Sequence, residues 1–182
     1  GMINDVRGLR GEGALAAAAQ LGVAVVLMHM QGEPGGMQDA PAYDDVVGEV
    51  HRFLAERIFA AEMAGLDKRR IVVDPGFGFG KTSAHNLQLL AQLRRFTELG
   101  VPVLAGLSRK KTIGELTGRE QPRARAAGSV AAHLIAAQHG AMLLRVHDVA
   151  QTVDALKVWN AVAAVPLPRK DAGKPAISWP DD

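Results

Sequence analysis

The sequence predicts an α/β domain of parallel strands, each followed by a helix, and three observations predict it. Five short apolar runs each end in polar, chemistry-capable residues: Met2-Ile3-Asn4-Asp5, Leu27-Met28-His29-Met30-Gln31, Val72-Val73-Asp74-Pro75-Gly76, Ala105-Gly106-Leu107-Ser108-Arg109-Lys110 and Leu144-Arg145-Val146-His147-Asp148. One helix-sized segment separates each run from the next. The run over 23–30 is almost uninterrupted apolar sequence, as expected of a strand covered on both faces. Parallel strands joined by helices bring all their carboxyl ends to one face, which in a (β/α)8 barrel is where active sites lie. Five units do not by themselves choose between part of an eight-stranded barrel and an open, doubly wound sheet.

Each element has its own signal. The first strand ends at Asn4-Asp5, and residues 8–13 form a loop. An alanine-rich helix over 14–21 stops at Gly22. The second strand occupies 23–30, and Gly32, Pro34, Gly35 and Gly36 make 31–41 a mobile loop. A helix over 44–64 buries Val46, Val50, Phe53, Leu54, Ile58 and Ala61 and turns Glu49, Arg52 and Glu56 to water. Gly65 closes it, and 70–74 is the third strand. Ser83 is the expected N-cap of a helix over 84–99 that Gly100 ends. The fourth strand spans 101–107, with Pro102 near its start, where a missing N–H does least harm. Helices over 112–116 and 123–138 follow, then Gly140, a fifth strand over 142–146 and a last helix over 152–164. Pro166, Pro168, Pro175 and Pro180 mark a loose polar tail over 165–182, leaving 1–164 as the domain.

Composition narrows the function classes. A chain of 182 residues supports one domain, and 48% hydrophobic with 22% charged residues fits a soluble globular protein. The net charge of +2 is too mild to imply nucleic acid, and 4% aromatic residues supply no stacking platform for single strands. A pI of about 9.2 is compatible with an anionic ligand. The absence of cysteine removes disulfides, thiolate metal sites and a Cys nucleophile. With no signal peptide and no apolar run long enough to span a bilayer, a cytoplasmic location is expected.

The run from Asp74 to Lys81, followed by Thr82, is not a nucleotide loop. A P-loop needs glycine where Pro75 stands, and the glycines run G-x-G-x-G rather than G-x-G-x-x-G. What remains is a strand-end carboxylate and a loop with two phenylalanines, whose rings something must cover. A plain turn-capping Asp is the alternative. Ser108, Arg109, Lys110 and Lys111 follow one strand, and alternation sends Arg145 and His147 to one side of another. Together they suggest an anion site, since Arg offers a planar fork and Lys a point charge. A solvated charge run explains Lys111 as well, but not Arg145, which between Leu144 and Val146 would need an anionic or stacking partner if buried. Asn4 and Asp5 alone read as turn formers. Met28 and Met30 read as core, with His29 toward the helices as a structural residue. His51, His85, His133 and His139 read as surface or packing residues, and no His/Asp/Glu trio has metal-ligand spacing.

Taken in order, Asn4-Asp5, Met28 to Gly32, Asp74 to Lys81, Ser108-Arg109-Lys110 and Arg145 to Asp148 resemble dihydropteroate synthase, the folate-pathway enzyme that sulfonamides inhibit. The likeness covers residues 1 to about 164. It implies a partial (β/α)8 TIM barrel that holds strands four to eight with their helices and lacks strands one to three. It also implies condensation of 4-aminobenzoate with 6-hydroxymethyl-7,8-dihydropterin pyrophosphate, with Mg2+ as cofactor, and a homodimer built through the later helices. The implied catalytic residues are Lys110, Arg145 and His147. Asn4 and Asp74 would hold the pterin's amide and amino edge, and Lys110 its carbonyl and ring nitrogen. Arg145 would lie along the pterin and, with His147, bind pyrophosphate, while Ser108, Phe79 and Lys110 border the 4-aminobenzoate. Met28, Gly78 and Gly106 complete the implied substrate pocket.

No metal ligand is expected within the chain, because the family's Mg2+-binding Asn belongs to the first strands. Without those strands the expected chain has two open sheet edges, binds pterin or pyrophosphate weakly at best and turns over little. Other readings are a methyltetrahydrofolate-dependent methyltransferase, which would share the Asn/Asp edge but not the cations, and a non-catalytic partial barrel.

Overall fold

The computed structural model describes residues 1–32 and 41–166. Five strands, β1 (Met2–Asp5), β2 (Ala24–Met28), β3 (Ile71–Asp74), β4 (Leu104–Ala105) and β5 (Leu143–Leu144), alternate with seven helices. These are α1 (Ala14–Leu21), α2 (Val46–Met63), α3 (Ser83–Ala91), α4 (Arg94–Thr97), α5 (Lys111–Thr117), α6 (Ala126–Gln138) and α7 (Val149–Ala163). Strands β1, β2 and β3 pair in parallel in that order, as do β4 and β5. A parallel bridge from Val73 to Val103 joins the two groups. The strands therefore follow one another in chain order with no reversal. A doubly wound sheet reverses at its switch point, so this is the single winding of a barrel wall.

Alternation along the strands sorts their side chains onto two faces. Val25, Leu27, Ile71, Val73, Val103 and Ala105 point outward into the main core, against Val47, Val50, Leu54, Leu89, Leu93 and Phe96 of the helices. Val26, Val72 and Leu104 point the other way and form a small second cluster with Leu143. Met28, Asp74, Gly106 and Arg145 lie two residues further along these four strands, so the same face carries them toward the carboxyl ends.

Several elements differ from expectation for local reasons. Strand β4 is only two residues long, because Pro102 has no N–H to give. Beyond Ala105, the Leu107 N–H turns away from the ladder to His133 Nε2 at 3.2 Å. Thr82, not Ser83, caps α3: its hydroxyl accepts from His85 N–H, and His85 Nδ1 accepts from the Thr82 N–H. The helix expected over 84–99 is broken after Ala91. His139 Nδ1 donates to the Leu90 carbonyl at 2.8 Å, and the bonds tighten to three-residue spacing around fully buried Leu93 and Phe96. Helix α6 begins at Ala126, three residues later than expected, with His139 at its C-cap. Glu49 does not simply face water; its carboxylate accepts from the Asp44 and Asp45 N–H groups ahead of α2. Helix α7 starts at Val149, three residues earlier than expected. Most of the expected 31–41 loop, residues 33–40, and the tail over 167–182 lie outside the described residues. Among the described residues no helix is long and apolar enough to cross a membrane.

His133 is fully buried and joins α6 to the end of β4: its Nδ1 donates to the Ser129 carbonyl at 2.7 Å while Nε2 accepts from Leu107. Burial holds its pKa below the ordinary histidine value, in keeping with a neutral ring. Replacing His133 with Leu strands a buried N–H and should cost about 2–3 kcal/mol in urea unfolding.

Candidate active site

Asp74 ends β3 and is 6% exposed. Its Oδ1 accepts from the Gly76 N–H at 2.7 Å. Burial raises its pKa above the usual carboxylate value, opposed by that bond and by the charges of Lys110, Lys81 and Arg145. Three basic side chains from three different loops thus act electrostatically on one buried carboxylate.

The loop after β3 is clamped against the end of β2. Gly76 has a left-handed backbone, and a Cβ there would collide with the His29 carbonyl oxygen, so only glycine fits. Lys81 is 3% exposed. Its Nζ lies 2.9 Å from His29 Nδ1 and donates to the Phe79 carbonyl at 3.0 Å. Burial, with Lys81 and Arg10 nearby, pushes the His29 pKa down to about 3, so the neutral ring accepts from the lysine. The ring also packs edge-on against Phe53 of α2, 4.9 Å between centroids. Tyr43 adds a bond from its hydroxyl to the Gly80 carbonyl at 2.8 Å.

Lys110 reaches across from the β4 loop. Its Nζ donates to the Phe77 carbonyl and sits 4.6 Å from the Phe79 ring centroid. Gly78 leaves room for it: a Cβ there would lie 3.0 Å from Lys110 Cδ. Gly106 faces Arg145, and a Cβ added there would lie 3.8 Å from the Arg145 Cβ, an ordinary contact. Ser108 Oγ accepts from the His147 N–H at 3.1 Å and lies 2.9 Å from His147 Nδ1. The two contacts to Ser108 Oγ together fix the orientation of the His147 ring.

Of the residues singled out in the sequence, Asp74, Gly78, Phe79, Lys110, Gly106 and Arg145 gather at one carboxyl end, and Ser108 and His147 continue that rim. Met28 is directly in register with Asp74. Asn4 is on the same face but exposed, and lies level with Val26 and Val72 rather than with Asp74. Asp5 is the turn former, accepting from the N–H groups of Arg7 and Leu9. Arg145 is exposed rather than buried, because β5 ends at Leu144 and the next side chain emerges on the open inner face. Arg109 is not free to hold an anion, since Asp148 occupies its fork at 2.6 and 3.1 Å.

This arrangement can be set beside known proteins. A family model described as "Pterin binding enzyme" matches residues 1–147. The chain belongs to the pterin binding enzyme family. Escherichia coli dihydropteroate synthase is 51% identical over 160 residues, which are 88% of this chain and 56% of that protein. Xanthomonas albilineans dihydropteroate synthase with 4-aminobenzoic acid is 74% identical at a TM-score of 0.86, covering 91% of this chain and 59% of that one. The same enzyme in complex with 7,8-dihydropteroate is 72% identical, also at 0.86, with 91% and 60% covered. The chain thus spans less than two thirds of the length of these relatives.

Sequence reasoning missed Lys81 and the part played by His29. A lysine between a glycine-rich loop and a helix cap gives no sign of burial, and only the fold brings His29 to it. Burial brings the Lys81 pKa down to about 7 and the Lys110 pKa to about 8. Above those values the folded chain has released protons that an unfolded lysine keeps until about pH 10.4. Unfolding free energy should therefore rise with pH from about 7 toward 10, by at most about 1.4 kcal/mol per pH unit per lysine. Lys81→Met should remove the part of the rise between about pH 7 and 8, measured by urea titrations across that range.

Proposed function

We propose that this chain is the part of a dihydropteroate synthase that carries strands four to eight of a (β/α)8 barrel. In that reading it provides most of the groups that join 4-aminobenzoate to 6-hydroxymethyl-7,8-dihydropterin pyrophosphate. The observation that carries the reading is a buried carboxylate, Asp74, that feels the charges of Lys110, Lys81 and Arg145, with the Ser108–His147 pair on the same rim. A carboxylate suits the pterin's amide and amino donors, and the neighbouring cations suit an anionic leaving group. The 4-aminobenzoate and dihydropteroate complexes of the Xanthomonas relative point the same way.

Asp74, with Asn4, takes the pterin edge, and Lys110 its carbonyl and ring nitrogen. Arg145 and His147 take the pyrophosphate, whose departure carries away the electron pair of the methylene C–O bond. The arylamine nitrogen of 4-aminobenzoate, lying against Phe79, Ser108 and Lys110, forms the new C–N bond to that carbon and gives up a proton. No covalent enzyme intermediate is needed, and stabilisation of the leaving charge does most of the catalysis. No three His, Asp or Glu side chains gather as a cation site among the described residues. The Mg2+ of this proposal would neutralise charge on the departing pyrophosphate, and the Asn that holds it in the family belongs to the first strands. A cytoplasmic enzyme, a homodimer through the later helices and competition by sulfonamides at the 4-aminobenzoate position belong to the same proposal.

A methyltetrahydrofolate-dependent methyltransferase would have no use for the cations of the last two loops, and a non-catalytic partial barrel would co-purify with a companion chain that supplies the first strands. Pyrophosphate should compete with the pterin pyrophosphate for the chain, and Arg145→Ala should weaken that competition by about tenfold. Loss of the Asp74 charge in Asp74→Asn should weaken pterin binding by about 2–3 kcal/mol in calorimetry. Dihydropteroate formation by the isolated chain should be slow; a rate equal to that of a complete relative would show that the first three strands are dispensable.

A further inference from the structure

Arg109 has a backbone φ of 58°, in the left-handed region that side chains resist, and it is not glycine. Such a conformation persists only where the surroundings over-determine it, and here they do. The Arg109 N–H donates to Ser129 Oγ at 2.9 Å, and its carbonyl accepts from Arg125 Nη1 at 2.9 Å, both on the approach to or within α6. Its guanidinium forks onto Asp148, Nη2 to Oδ1 at 2.6 Å and Nε to Oδ2 at 3.1 Å. Asp148 is the residue after His147, and Arg109 stands between Ser108 and Lys110. The left-handed turn at Arg109 sends Ser108 toward His147 and Lys110 toward Phe77.

We propose that Arg109 is a positioning residue: through its left-handed backbone and its fork on Asp148 it locks the β4 and β5 loops together, presenting Lys110, Ser108 and His147, and it does not hold the substrate's anion itself. Arginine is needed for the fork, although glycine would suit the backbone better. The Asp148 carboxyl, held below the usual carboxylate range by this pairing, stays charged through the neutral range.

The alternative, Arg109 as a direct anion ligand, differs in sign for one substitution. Asp148→Asn removes a negative charge near the anion and loosens Arg109. A direct ligand would then bind inorganic pyrophosphate more tightly, whereas a positioning role predicts about tenfold weaker binding, the order seen when an orienting partner is removed. Arg109→Gly separates positioning from mere folding. It relieves the left-handed strain and keeps the backbone bonds, so thermal stability should hold while pyrophosphate affinity falls by a similar factor. Arg109→Lys keeps the charge without the planar fork and should not restore binding.

The pyrophosphate arm, run by calorimetry on the full chain, rests on the function proposed above. A second readout does not: the imidazole 15N signals of His147 report its bond to Ser108 without ligand. They should move toward a free imidazole in Asp148→Asn and Arg109→Gly. Unchanged His147 signals, or tighter pyrophosphate binding in Asp148→Asn, would overturn the proposal. If the unaltered chain fails to bind pyrophosphate, the pyrophosphate reading falls and the His147 signals alone decide the role of Arg109.

Discussion

Placing the Asp74 carboxylate inside the protein is the constraint around which the rest of the site is arranged. A buried charge with one backbone hydrogen bond is costly, and three loops answer it with cations. Lys81 is itself buried and Lys110 partly so, and the opposite charge of Asp74 favours the protonated form of both. Each lysine ammonium also needs acceptors, which it takes from backbone carbonyls of the same glycine-rich loop and from a neutral histidine.

The outer side of the wall supplies the rigidity. The main core lies between the strands and α2, α3 and α4, whereas the inner face has only a small apolar cluster at the base of the site. His133, Ser129 and Arg125 convert α6 into a support for the loop after β4, using bonds that a longer β4 would have spent on its neighbour. A short strand and a well-held loop are therefore two descriptions of one set of hydrogen bonds. In the same way, where the helix breaks after Ala91 the Leu90 carbonyl accepts from both the Leu93 N–H and His139, and Leu93 and Phe96 both reach the core.

Much of the architecture was legible because strand and helix periods leave clear marks. The boundaries of α1 and its Gly22 stop, the stripe of α2 and the alternation that places Arg145 and His147 on one side all follow from local pattern. Expectation failed where a distant side chain competed for the backbone. Ser83 was the expected cap, but the His85 ring closes a reciprocal pair with Thr82 and moves the cap one residue earlier. Arg145 looked buried between two apolar neighbours, yet those neighbours belong to the other face. Arg109 looked like an anion ligand because its partner lies 39 residues away in the chain.

The sequence by itself determined the succession of βα units and the identity of the polar residues at their carboxyl ends, since both depend on spacings of a few residues. It also determined the family, through motifs carried whole in those ends. Only the tertiary structure decided which of those polar groups are spent on one another, Lys81 against His29 and Arg109 against Asp148, and which, like Lys110 and Arg145, are presented at the rim. Pairings of this kind join loops far apart in the chain, and their energies depend on burial and distance, which no local spacing encodes.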